Sequence, residues 1–193
     1  MAIKYKICPK CGSKDVLKIV YGMPSYELFK EAEKGKIKLG GCMIAVENNP
    51  EYACNDCEYE WNRQEIIDKE YKSIEKLKAS IGGYFGPEYN IEINLKEGYF
   101  EWTGKENQTA VAECVKDNLS ESEIFDIIDK IKMIDLLNWK RKFINLEIMD
   151  GTCWSIEIFK NKKSIRIQGA NDYPEEWNLF CELIKDVSEK SFE

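Results

Sequence analysis

CPKCGSKD, residues 8–15, sets Cys8 and Cys11 two residues apart with Gly12 directly behind them. A chain that spaces two thiols this way and then turns on a glycine can aim both sulfurs at one point. The partner stretch is CNDCEYEW, residues 54–61, where Cys54 and Cys57 repeat the gap and Tyr59 and Trp61 follow on alternate positions. Four thiolates in two such pairs suit a tetrahedral zinc ion, with sulfurs about 2.3 Å from the metal. Such pairs are usually separated by about 15–20 residues. Here 42 residues intervene, so the loop between them carries an element of its own. No strand–helix crossover surrounds either pair, which argues against a redox dithiol. The reading is one structural Zn2+ held by Cys8, Cys11, Cys54 and Cys57.

Composition narrows the chemistry further. The chain has eight cysteines and no histidine. Histidine-containing zinc sites, Cys–His nucleophile pairs and Ser–His–Asp triads are therefore excluded. The opening residues MAIKYKICPK lack the apolar run of a signal peptide. No stretch approaches the roughly 18 apolar residues of a membrane span. These features predict a soluble, cytoplasmic protein with no membrane partner, where reduced thiols favour metal over disulfide. The length of 193 residues allows one domain or two.

Between the cysteine pairs the pattern reads strand, helix, strand. DVLKIVYG (15–22) is an apolar-rich strand, and Ser25 is placed to cap a helix with Glu27 in its first turn. Leu28, Phe29 and Ala32 are expected to pack inward before Gly35 ends that helix. IKLGGCMIAV (37–46) returns as a strand interrupted by two glycines, a sign of a bulge or close backbone approach. Cys42, directly after them, is a fifth thiol beside a site that needs four. It is either a reactive thiol or, as is commoner, a small buried residue packed at the glycine bend.

The order CPKCG, YGMPSYELF, AE, LGGC, CNDC resembles a family of small bacterial zinc-ribbon proteins with no assigned activity. Its pattern runs CPxCG, YGxPSxELFxxAExG, LGGC and then CxxC with an aromatic. The match covers roughly the first third of the chain. It departs at Glu58, where the family often has glycine, and at Tyr52-Ala53, where it often has histidine. The resemblance implies a zinc ribbon and no particular activity.

After Trp61 the register changes. Ile67, Tyr71, Ile74, Leu77 and Ile81 fall at helical spacing, predicting a linker helix over 63–81 that ends at Gly82-Gly83. Beyond it, NIEINL, YFEWTG, INLEIM, CWSIEIF and SIRIQG alternate apolar and polar residues, as in a sheet with one buried face. Asp150-Gly151 reads as a hairpin turn. Ser120 with Glu123 forms a capping box for a helix striped with Ile124, Ile127, Ile128, Ile131 and Ile134. A last helix is expected after NDYPEEW, with Asp172 as cap and Trp177, Phe180, Cys181, Ile184 and Val187 inward. The predicted fold is α+β: a zinc ribbon over 1–62 with an inserted helix, the linker, and a domain over 82–193. In that domain a mostly antiparallel sheet is covered by two or three helices.

Trp139, Asp150-Gly151-Thr152, Trp154, Gly169-Ala170-Asn171 and Tyr173-Pro174 also resemble a bacterial domain with W…DGTxW…GxNxYP motifs. Asp150, Trp154, Asn171 and Tyr173 are the candidate pocket residues. Glu92, Glu101, Glu147 and Glu157 are expected on the wet face of the sheet, where a solvated charged surface is the simpler reading than acid–base chemistry. Residues 1–62 are neutral, with nine lysines and nine carboxylates, and residues 63–193 carry the whole net charge of −7. That balance disfavours nucleic acid, although Lys34, Lys36 and Lys38 form a local basic run. The expected function is a zinc-binding interaction or accessory protein whose partner is another protein. A nucleic-acid-associated protein is the alternative, and an enzyme with a pocket near Asp150, Trp154 and Asn171 comes third; the sequence argues against catalysis.

Overall fold

The computed structural model describes residues 3–42, 49–83, 86–107, 109–145, 147 and 151–193. Among these, four helices and two mostly antiparallel sheets make an α+β fold. The chain divides into two compact units, Ile3–Glu70 and Tyr71–Glu193. No helix among the described residues is long and apolar enough to cross a membrane.

In the first unit, β1 (Val16–Val20) leads through α1 (Tyr26–Glu33) to β2 (Ile37–Leu39), and β3 (Tyr52–Cys54) and β4 (Glu60–Trp61) follow. The sheet order is β2-β1-β3-β4. β1 and β2 run parallel, whereas β1–β3 and β3–β4 are antiparallel. Ser25 caps α1 by accepting the Leu28 N–H at 3.4 Å. The expected inward stripe forms only in part: Leu28 and Ala32 are half-buried, no α1 residue is fully buried, and Phe29 is 49% exposed. The small sheet offers too little apolar surface to cover an eight-residue helix, since β2 is only half-buried throughout. The second strand stops at Leu39, and residues 43–48 of the expected 37–46 strand lie outside the described residues.

The linker prediction is overturned. Helix α2 (Arg63–Lys72), started by the Asn62 side chain accepting the Glu65 N–H at 2.7 Å, ends before Ile74. Residues Ile74–Gly83 are instead strand β5. Leu77, Ala79 and Ile81 are buried and alternate with Lys78 and Ser80, and that two-residue period wins over the helical one. The reason is tertiary, because β5 is paired on both edges, by β6 (Glu88–Asn94) and β10 (Thr152–Lys160). The second sheet runs β8-β7-β6-β5-β10-β11-β9, with β7 (Tyr99–Lys105), β8 (Glu113–Asn118), β9 (Lys142–Ile144) and β11 (Lys163–Ala170).

A second correction concerns the hairpin at Asp150-Gly151. β9 pairs in parallel with β11 rather than antiparallel with β10, because β10 already has β5 and β11 on its two edges. The tight hairpin lies at Asn161-Lys162, between β10 and β11. Leu146, Ile148 and Asp150 lie outside the described residues.

Helices α3 (Glu121–Met133) and α4 (Trp177–Ser188) complete this unit. α3 carries the expected capping box of Ser120 and Glu123. α4 begins at Trp177 and has no side-chain cap. Asp172 accepts the adjacent Tyr173 N–H instead, which corrects its expected capping role. α4 packs against β7 and against α3, burying Phe180, Leu183 and Ile184. The apolar face of the sheet contributes Ile93, Trp102, Ile156, Ile158 and Ile167 to this core. On its other face the strand register aligns Lys116, Glu101, Glu92, Lys78, Glu157 and Arg166 in one row. Glu147 stands outside that row, exposed and in no strand.

Candidate metal centre

Both cysteine pairs lie on loops with the same hydrogen bonding. In the first, the Gly12 N–H donates to the Cys8 carbonyl at 2.9 Å and the Cys8 N–H to the Ser13 carbonyl at 2.9 Å. In the second, the Glu58 N–H donates to the Cys54 carbonyl at 3.0 Å and the Cys54 N–H to the Tyr59 carbonyl at 2.9 Å. The residue after each pair is left-handed, with φ of 77° at Gly12 and 57° at Glu58. Turns closed in this way point both sulfurs of a pair inward. The antiparallel pairing of β1 with β3, Val16 opposite Cys54, brings the two turns together. A clamp adds to it: Asn55 donates to Asp15 through its side chain at 2.9 Å and through its backbone N–H at 3.0 Å. The sequence did not single out this clamp; an Asx residue beside each cysteine turn was its only signal.

All four Sγ atoms of Cys8, Cys11, Cys54 and Cys57 lie within 4.8 Å of one another. Cys8–Cys57 and Cys11–Cys54 each approach to 3.5 Å. Sulfurs about 2.3 Å from a common tetrahedral centre stand about 3.8 Å apart, so the set matches one metal ion. A disulfide needs about 2.05 Å, and the four thiols are free. Behind them Trp61 is buried, and its indole N–H donates to the Tyr5 carbonyl at 2.9 Å. Val16, Tyr52 and Ile66 pack against the same small core of Cys8, Cys54 and Trp61.

The electrostatics already favour charge on one sulfur. Burial raises the Cys8 thiol, but the backbone N–H groups of Cys11 and Lys10 and the thiols of Cys11 and Cys57 outweigh it and bring it down to about 6. At Cys11 the Ser13 backbone lowers the thiol, yet burial and the three neighbouring thiols push it up to about 12. Thiols packed this closely cannot all ionise by themselves. A divalent ion removes that conflict, and its binding releases the remaining protons.

Cys42 lies outside the cluster and is exposed, which corrects the expectation of a buried residue. Of the glycines before it, Gly41 takes a left-handed backbone with φ of 86° and Gly40 makes room for Tyr21. A Cβ on Gly40 would sit 2.4 Å from the Tyr21 ring, whose hydroxyl donates to the Pro50 carbonyl at 2.9 Å. Of the other cysteines, Cys114 and Cys153 are exposed and Cys181 is buried. Burial, with a smaller effect of the Glu193 charge, pushes the Cys181 thiol up to about 12.

Among the candidate pocket residues of the second unit, Trp154 and Tyr173 lie against each other. Trp154 is buried, stacks on Tyr173 at 6.2 Å, and donates its indole N–H to the Asp172 carbonyl at 2.9 Å. The Asn171 amide lies directly over Gly151, where a Cβ would meet its Oδ1 at 1.6 Å. Tyr173 lines a depression of about 380 Å³ with Thr152, Pro174 and Trp177, whereas Trp154 lines a different one of about 350 Å³. Asp150 lies outside the described residues. These motif residues hold a turn, a stacked pair and the approach to α4. The expected carboxylate face is likewise engaged: Glu92 accepts from Lys78 at 2.7 Å, Tyr99 at 2.9 Å and Lys76 at 3.3 Å, and Lys116 stands 3.5 Å from Glu101.

Set against known proteins, the chain matches no protein-family model, and no curated protein matches it significantly.

Proposed function

We propose that Cys8, Cys11, Cys54 and Cys57 hold one structural zinc ion in a ribbon of the kind the bacterial family resemblance implies. The protein then acts as a zinc-binding interaction or accessory protein in a reducing, cytoplasmic compartment. The convergence of four thiols from two matching turns carries this reading. With all four tetrahedral positions taken by protein sulfurs, no position is left open for substrate or water, which is the mark of a structural rather than catalytic site. Bound there, zinc supplies a cross-link between the two turns. Helix α1 favours a protein partner, since Met23, Tyr26 and Phe29 beside and on it are 92%, 70% and 49% exposed. The nucleic-acid alternative is weaker, because Lys38 of the basic run is paired with Glu60 at 2.7 Å.

Elemental analysis of the purified protein tests the site. The expected result is one zinc per chain, kept in Cys42→Ser and sharply reduced in Cys54→Ser. Equal loss in both variants would overturn the ligand set, and metal-free protein whose spectra ignore strong chelators would overturn the zinc itself.

A further inference from the structure

At one end of the seven-stranded sheet, Lys76, Lys96, Lys160, Lys162 and Lys163 line a depression of about 430 Å³ with Phe159 at its side. They come from three separate segments: the start of β5, the turn after β6, and the β10–β11 hairpin. Glu75 and Glu97 also line it, so five cations face two carboxylates in a chain whose net charge is −7. Lys96 stands 3.7 Å from Glu75 and Lys76 stands 3.3 Å from Glu92. Lys160 has a partner of its own, whereas among the described residues Lys162 and Lys163 make no ion pair.

Two features of this end oppose folding, and a third re-aims its side chains. Lys160 and Lys163 are directly opposed across the hairpin, a like-charge pairing that destabilises a sheet. The two-residue turn has φ of 49° at Asn161 and 60° at Lys162. Asn-Gly is the favoured pair for such a turn, yet the glycine position holds a lysine in a conformation that L side chains disfavour. The β5–β10 register also shifts between Phe159 and Lys160, and bulges of this kind re-aim side chains beside functional sites. Each feature places an amine in the same depression. Backbone strain kept at a cost is a reason to look for a ligand.

We infer that this depression binds a compact oligophosphate, either free or as the phosphate group of a nucleotide. Lysines act as point charges on phosphate, and several amines from different segments can surround a small polyanion. The size suits one such group. An extended nucleic acid fits less well, because beyond the depression the same sheet face runs onto the Glu92–Glu101 pair. Phe159 lies 5.5 Å from the Lys76 ammonium at the ring centroid and offers a face to a base.

Calorimetric titration and thermal melts of the full chain at fixed ionic strength test this, with tripolyphosphate, ATP and a dT20 oligonucleotide as probes. Tripolyphosphate is expected to bind saturably and raise the melting temperature beyond a sodium chloride control. Lys162→Gly separates binding from folding, since it should melt higher than the parent without ligand. It should nevertheless bind tripolyphosphate about tenfold or more weakly, as expected for loss of one charge-assisted contact. Equal affinity for tripolyphosphate and ATP marks the phosphates as the whole recognition. Tighter ATP binding that Phe159→Ala removes marks a nucleotide. Absence of saturable binding, unchanged affinity in Lys162→Gly, or tighter and steeply salt-dependent binding of dT20 overturns the proposal.

Discussion

Glu58 holds the position in the second cysteine turn that Gly12 holds in the first, with nearly the same hydrogen bond and the same left-handed backbone. An L side chain in that region costs roughly 1–2 kcal/mol, and glycine returns part of this through the entropy of the unfolded chain. Glu58→Gly should therefore stabilise the metal-loaded first unit by about 0.5–1 kcal/mol. It should also make the metal a few-fold harder to remove by a competing chelator. Unchanged or lower stability would mean that the exposed Glu58 carboxylate makes a compensating contact. Single residues were the most legible level of this sequence. Two-residue cysteine gaps are local geometry, so the four sulfurs were readable before any fold. Cys42 was not, because its burial depends on neighbours far along the chain, and Gly40 turned out to answer to Tyr21 rather than to the thiol.

Elements were legible where one local signal stood unopposed. Ser120 and Glu123 announced α3, and the alternation of β6, β7, β10 and β11 announced strands. β5 has a helical pattern in sequence because Ile74, Leu77 and Ile81 satisfy a helical period as well as a strand, and only pairing on both edges decides between them. The strand pairing expected across Asp150-Gly151 gives way for a related reason: a turn signal cannot state which strand will occupy the neighbouring edge. Alternation alone marks the outer face as solvated charge, and register shows how its row is satisfied. Burial raises the Glu92 carboxyl, but hydrogen bonds from Lys78, Tyr99 and Lys76 outweigh it and hold it below the ordinary value. A depressed carboxylate contributes stability above its unfolded value, about 4.3, and loses it as pH falls through the folded one. Glu92→Gln should therefore cost about 1 kcal/mol at pH 7 in urea unfolding. The gap from the parent should close as pH drops below about 4. A gap that stays constant from pH 7 to pH 3 would show that shape, not charge, sets the role of Glu92.

The two units build their cores from different materials. The first centres on Cys8, Cys54 and Trp61, two of them metal-ligand candidates, and α1 adds no buried residue. The second buries Trp102, Trp154, Ile156, Ile158, Ile167, Phe180 and Ile184, and contains none of the four clustered cysteines. Structural zinc contributes about 10–16 kcal/mol of apparent folding free energy in small domains, comparable with or above the 5–15 kcal/mol net stability typical of a whole domain. Removing the ion should therefore unfold the first unit and leave the second standing. Hydrogen exchange followed by mass spectrometry on the intact chain separates them by segment. After chelation, residues 16–20 and 52–61 should lose protection, while 74–83 and 152–170 keep it. Calorimetry should show one transition vanish and another persist at its original temperature. Simultaneous loss of protection in both sets would mean that folding of the large sheet depends on the metal centre and that the chain unfolds as one cooperative body. Protection unchanged everywhere, with the metal verifiably gone, would mean that Trp61 and the paired turns suffice without an ion.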